Sequence, residues 1–177
     1  MAGAQKPENV LTLQQRIAER AKQSPELRFT SLAHLMDKYW LVNAFARTRQ
    51  DGAVGVDGQT VEDYIGDNLE PKLIDLLDRA KSGTYQAPPV RRVHIPKGTS
   101  GETRPIGIPT FEDKVLQRAV VMVLETVYEQ DFLDCSYGFR PGRSAHQALQ
   151  AVWQQTMAMG GCWIVEVDIR KFLDHAS

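Results

Sequence analysis

The stretch VRRVHIPKGTSGETRPIGIP, from Val90 to Pro109, constrains this chain more than any other. Two short runs rich in β-branched residues flank a loop that contains Gly98 and Gly101, the pattern of a β-hairpin. The APPV just before it sets an extended entry. Immediately afterwards Thr110 and Asp113 mark a helix start, and the helix should run to about Glu129. Its centre, AVVMVLETV, is apolar on nearly every side, which predicts burial. A hairpin followed by a buried helix rules out an all-helical chain and predicts an α+β fold.

The flanking segments read as helices and loops. Leu32, Leu35, Met36 and Tyr39 fall at i, i+3, i+4 and i+7, one apolar stripe in a helical first 50 residues. DGAVGVDGQT, Asp51 to Thr60, is a glycine-rich loop, and Thr60 with Asp63 caps the helix expected after it. Leu69, Leu73, Leu76, Leu77 and Ala80 form a second stripe that Gly83 ends. DCSYGFRPGRS is an irregular loop. Ser144 and Gln147 then open a helix with Ala145, Ala148, Leu149 and Val152 on one face, ended by Gly160 and Gly161. WIVEVDI, Trp163 to Ile169, reads as a closing strand.

Composition narrows the class. The 177 residues are 42% hydrophobic and 24% charged, ordinary for one soluble domain or one and a half small ones. No run of about 18 apolar residues exists to span a membrane. The polar N-terminus has no apolar signal core, and two cysteines, Cys135 and Cys162, suggest neither disulfides nor a zinc site, so a cytoplasmic location is expected. A net charge of −1 alone does not predict nucleic-acid binding. The average hides a local asymmetry, and local fields matter for binding more than the total: from Val90 to Arg104, Arg91, Arg92, Lys97 and Arg104 face a single acid, Glu102. From Phe111 to Tyr137 the balance reverses, six acids to two bases, Lys114 and Arg118.

Three places carry candidate chemistry. In the closing strand, alternation puts Trp163, Val165, Val167 and Ile169 on one face and Ile164, Glu166, Asp168 and Arg170 on the other. Asp168 is therefore either a magnesium ligand near a strand end or part of an ordinary wet face. The hairpin presents Lys97 and Arg104 to a triphosphate, or simply carries charge that blunts its edges. Arg140 and Arg143 stand in GFRPGRS at a helix start, either to favour phosphate or only to shape a helix-entry loop. His34, His94, His146 and His175 lie far apart without ligand spacing, and Gly52, Gly55 and Gly58 follow no strand that would make a dinucleotide fingerprint.

In series these segments are specific. GVDGQT, then YQAPPVRRVHIPKGTSGETRPIGIPTFEDKVLQRAVVMVLETVYEQDF, then CSYGFRPGRSAHQAL and WIVEVDIRKF resemble, in order and spacing, the N-terminal reverse-transcriptase blocks of group II intron-encoded proteins. The resemblance runs from about Gly55 to Phe172. It implies a right-hand polymerase: residues 1–54 a helical N-terminal extension, 55–160 the fingers, and 161–177 the first palm strand of an incomplete domain. It also implies that Asp168 is a catalytic Mg²⁺-binding aspartate. By the same resemblance Lys97, Arg104 and Phe172 meet the incoming nucleotide, while Arg91, Arg92, Arg140 and Arg143 lie along nucleic acid. The implied partners are intron RNA, an RNA template with a DNA primer, and deoxynucleoside triphosphates.

Two departures qualify the expected activity. The Tyr-Ala-Asp-Asp turn of that family is absent, and no Asp-Asp dipeptide occurs in the sequence. Phe172 is followed by Leu173 where the family shows Phe-Phe. Two-metal phosphoryl transfer needs carboxylates enough to hold both ions. The expectation is thus a fragment of a reverse transcriptase and maturase that does not polymerise alone, the alternatives being a non-catalytic binder of intron RNA and a degenerate remnant. An unpaired palm edge would favour self-association.

Overall fold

The computed structural model describes residues 9–98 and 101–169; Phe172, Arg170 and the closing residues lie outside them. Five helices and one hairpin follow in order: α1 (Val10–Gln23), α2 (Lys38–Arg47), α3 (Leu69–Ser82), β1 (Arg91–Pro96), β2 (Thr103–Ile108), α4 (Phe111–Tyr128) and α5 (Ala145–Met159). Helix and strand are mixed, as expected for α+β. The chain divides into two compact units, residues 1–131 and residues 132–177.

In the first unit α4 is the central element. Thr110 caps it, its side chain accepting from the Asp113 N–H at 3.3 Å, so the predicted start is the observed one. Val115, Ala119 and Met122 of α4 pack with Trp40, Leu41 and Ala44 of α2 and with Leu73 and Leu76 of α3. The Trp40 indole N–H donates to the Ala119 carbonyl at 3.0 Å, which satisfies the polar edge of a fully buried ring. From α1, Gln14 Nε2 donates to the Met122 carbonyl at 3.2 Å. Val10 and Met36 therefore share a core with residues beyond Gly55.

Three expectations for the first unit need correction. The stripe Leu32–Tyr39 is not one helix. Ala33–Leu35 makes a single 3₁₀ turn, and Asp37 starts α2 afresh by accepting from the Trp40 N–H at 2.8 Å. The capping side chain interrupts the apolar periodicity, and Tyr39 faces outward. Helix α4 is buried on one face only: Val120 and Leu124 are 39% and 43% exposed. The Thr60–Asp63 capping box forms, but it opens a 3₁₀ turn, Val61–Asp63, rather than a long helix.

The second unit starts with the loop after α4 and contains α5. Ser144 caps α5 by accepting from the Gln147 N–H at 3.3 Å, and Gly160, at φ 66°, ends it. No residue of α5 is buried. The predicted closing strand is not one: Trp163 to Ile169 has no strand pairing, and Trp163 is 98% exposed. A strand exists through its ladder partner, and among the described residues the one sheet is β1 paired with β2.

Candidate functional site

The hairpin register decides which cations act together. β1 and β2 are antiparallel, with Arg91 opposite Ile108, Ile95 opposite Arg104 and Pro96 opposite Thr103. Opposed residues share a face, and successive residues alternate. Arg91, Val93 and Ile95 therefore stand with Arg104, Ile106 and Ile108, while Arg92 and His94 stand with Pro105 and Gly107. One face is an apolar strip with a guanidinium near each end. The two rows stand four residue steps apart along β1, about 13 Å at strand rise. Arg91 and Arg92 point to opposite sides.

Lys97 begins the tip. Its N–H donates to the Glu102 carbonyl at 2.7 Å, closing the loop, and its ammonium lies 3.7 Å from the Glu102 carboxylate. Both side chains are exposed, so the contact is screened by water and competes weakly with a ligand. Gly98 and Gly101 take positive φ, 60° and 72°, which lets the chain reverse between the strands. Arg104 is exposed on β2.

The base of the hairpin is fixed to the glycine-rich loop. Arg91 Nε donates to the Val54 carbonyl at 2.9 Å, and Lys114 Nζ donates to the Ala53 carbonyl at 2.5 Å. Gly55 lies against the α4 cap, where a Cβ would stand 2.6 Å from Thr110 Cα. The loop, the hairpin and α4 thus form one joint. Arg91, a candidate for nucleic acid, already has a structural contact there.

Arg140 and Arg143 also work within the protein. Arg140 Nη1 donates to the Leu133 and Ser136 carbonyls at 2.9 and 2.8 Å, and its guanidinium lies 4.8 Å from the Phe132 ring centre. Arg143 lies 5.5 Å from the Tyr137 ring centre and 3.4 Å from Asp134. Both arginines fold the loop before α5, where Phe139 takes the left-handed φ of 55°. Asp168 belongs to the second unit and is exposed. Among the described residues no three His, Cys, Asp or Glu side chains converge on a metal position. Asp168 offers one carboxylate, a single part of the oxygen set Mg²⁺ takes.

Two basic cavities escaped the sequence reading. One, 440 Å³, is lined by Arg16 and Arg20 of α1 together with Arg28, Phe29 and His34. The i, i+4 spacing of Arg16 and Arg20 was the available signal. The other, 480 Å³, brings Arg49 from the loop after α2 to Lys114 and Arg118, which stand i, i+4 on α4; no local pattern places the first beside the other two.

The reverse transcriptase (RNA-dependent DNA polymerase) family matches residues 95–177, from the end of β1 onward. Protein YkfC of Escherichia coli K12 is 38% identical over 92% of this chain and 44% of its own length. The group II intron-encoded protein LtrA of Lactococcus lactis is 35% identical over 93% of this chain and 27% of its own length. A shorter segment, 38% of this chain, is 34% identical to nuclear intron maturase 1 of Arabidopsis thaliana. The chain belongs to the family of group II intron-encoded reverse transcriptases and maturases. It spans less than half the length of these relatives. Among the described residues no helix is long and apolar enough to cross a membrane.

Proposed function

We propose that residues 55–160 are the fingers of an RNA-directed DNA polymerase, that 161–177 open its palm, and that 1–54 form an RNA-binding extension. The observation that carries this reading is the hairpin, with Arg91 and Arg104 on one face and Lys97 at the tip. In this reading Lys97 and Arg104 offset the charge of an incoming triphosphate, and the apolar strip between the guanidinium rows supports the nucleotide without competing for its phosphates. Arg16, Arg20 and Phe29 line a cavity suited to RNA, pairing cations with a ring on which a base can stack.

Reverse transcriptases use divalent metal ions, and Asp168 is the residue that would contribute a carboxylate to Mg²⁺. The ion, when bound, supplies charge neutralisation at the phosphoryl oxygens. The carboxylates among the described residues do not complete a two-ion set, so no catalytic step is assigned to this chain alone. Its own residues bind and orient: intron RNA or an RNA template with its DNA primer, and the deoxynucleoside triphosphate.

The test is titration of the 177-residue chain with single-stranded RNA at rising salt, beside template–primer extension with Mg²⁺. The expected result is salt-dependent RNA binding without extension, with Lys97→Ala/Arg104→Ala weakening the protection of a bound triphosphate from phosphatase. Absence of RNA binding at low salt overturns the reading.

A further inference from the structure

The 480 Å³ cavity lies between the loop after α2, the base of the hairpin and the outer side of α4. Lys114, Gln117, Arg118 and Val121 line it from α4 at i, i+3, i+4 and i+7, one helical stripe. Among the described residues no carboxylate lines it.

Its three cations differ in what they have left to give. Arg49 is neutralised by Asp51, to which it donates at 2.6 and 3.2 Å. Lys114 donates one hydrogen bond to the Ala53 carbonyl, a neutral acceptor, and keeps its full charge and two further N–H donors. Gly52 keeps the approach open, since even an added Cβ there would stand 3.9 Å from Lys114 Nζ. Arg118 is half-buried, and its side chain has no hydrogen bond or ion pair among the described residues. A partly desolvated guanidinium with five unused donors facing a cavity is unusual, because such groups are ordinarily paired.

We propose that this cavity binds a phosphodiester group of an RNA backbone, with Arg118 as the principal donor and Lys114 as the second charge. The inference rests on the reading above that the chain binds RNA, and it adds a position that reading does not contain. A guanidinium presents two parallel N–H groups that match two phosphate oxygens, and the ammonium adds a point charge without demanding geometry. The volume falls in the range of ligand sites, large enough for a nucleotide and not only an ion. Val121 and Ile108 supply an apolar wall beside the charge, where a ribose or base edge can rest. The cavity also adjoins the hairpin: Ala53 and Val54, consecutive residues, hold Lys114 and Arg91. An RNA strand that met the hairpin base would therefore find the cavity next.

The experiment is fluorescence anisotropy of a labelled single-stranded RNA with the full chain, from about 50 to about 300 mM salt. Arg118→Gln is expected to weaken binding about 3- to 10-fold at low salt and to reduce the salt slope by about 0.7, one phosphate's share for a single strand. Arg118→Lys is expected to retain the slope. Unaltered affinity and slope in Arg118→Gln overturn this inference and leave the proposed function standing. Absence of RNA binding by the unsubstituted chain overturns both. Equal loss of affinity in Arg118→Gln and Arg118→Lys, with the slope unchanged, also overturns it, because that pattern belongs to a packing defect.

Discussion

Arg79 and Glu112 tie α3 to the first turn of α4 by two parallel hydrogen bonds, 3.1 and 2.7 Å long. The geometry is the fork-to-carboxylate pairing that makes arginine ion pairs strong. Asp75, one turn back on α3, holds the same guanidinium at 2.8 Å, and Tyr85 lies beside it with ring centre 5.5 Å away. Glu112 also sits in the first turn of α4, where negative charge favours the helix. Arg79→Ala should destabilise the chain by about 2 kcal/mol, since it strands a partly buried carboxylate. Arg79→Lys should recover less than half, because an ammonium cannot reproduce the fork. Urea melts of the single and double variants with Glu112→Gln form the cycle that measures this. A coupling energy near zero would show that the pair is ornamental.

Gly55 meets Thr110 where the glycine-rich loop crosses the start of α4. An added Cβ would lie 2.6 Å from Thr110 Cα, 2.8 Å from its nitrogen and 3.0 Å from the Pro109 carbonyl oxygen. All three are backbone atoms, so no side chain can rotate away. Gly55→Ala should lower stability by about 2 kcal/mol or more, through overpacking at a helix cap. Gly138→Ala, with open space around its Cβ position, should fall within about 0.5 kcal/mol of the parent. Thermal melts that rank the two variants alike would refute the joint between loop and helix.

The hairpin, α3 and the caps of α4 and α5 were legible because their determinants are local. Gly83 ends α3 at φ 73°, and Thr110 and Ser144 cap the two later helices, each within a few residues of the helix it ends or opens. The segment Trp163–Ile169 has equally clear alternation, yet it forms no strand, because pairing is a non-local property that no alternation guarantees. The site residues divide on the same line. Arg104 was visible as a cation in a strand, whereas the closeness of Arg49 to Arg118 arises only when the loop after α2 folds over α4. Arg140 was visible as a charge, but its work on two carbonyls was not.

Arg140 permits a direct separation of structural from ligand-binding roles. It satisfies the Leu133 and Ser136 carbonyls and covers Phe132, so Arg140→Ala should loosen residues 133–143. Hydrogen exchange of those amides should quicken by about tenfold, the equivalent of about 1.4 kcal/mol. Arg140→Lys keeps the charge without the two-acceptor reach and should quicken exchange nearly as much. If RNA affinity follows charge while exchange follows geometry, both roles are present. Unchanged exchange in both variants would remove the structural role.

Tyr64 makes stability depend on alkaline pH. Burial pushes its hydroxyl up to about 12, and the nearby Glu112 and Asp57 charges add to the effect. The folded chain therefore holds the phenolic proton at pH values where the unfolded chain, with tyrosine near 10, has lost it. Between pH 10 and about 12 the unfolded state binds fewer protons, so stability falls as pH rises. Below pH 10 the contribution is fully present. Tyr85 is raised in the same direction, by burial and then by its hydrogen bond to Asp113, and steepens the decline. Tyr64→Phe should flatten the slope over that window by on the order of 1–2 kcal/mol. Urea midpoints at stepped pH values test this, and an unaltered slope in Tyr64→Phe would assign the decline to other groups.

Helix α5 and the segment after it expose a series of large apolar side chains. Leu149, Val152, Trp153 and Met157 are all more than half exposed on α5, and Trp163, Ile164, Val165 and Val167 are exposed beyond it. Contiguous apolar surface of this kind marks an interaction site or an association hazard. The chain should therefore self-associate as its concentration rises, and added salt should not reverse the association, because screening acts on charges and not on apolar contact. Trp153→Glu places a charge in the middle of that stripe and should shift the equilibrium towards monomer while the melt of the first unit is unchanged, since Trp153 is no part of its core. Light scattering coupled to size exclusion is the measurement. A sharp monomer at every concentration, in the parent as in Trp153→Glu, would mean that this surface is covered within the chain.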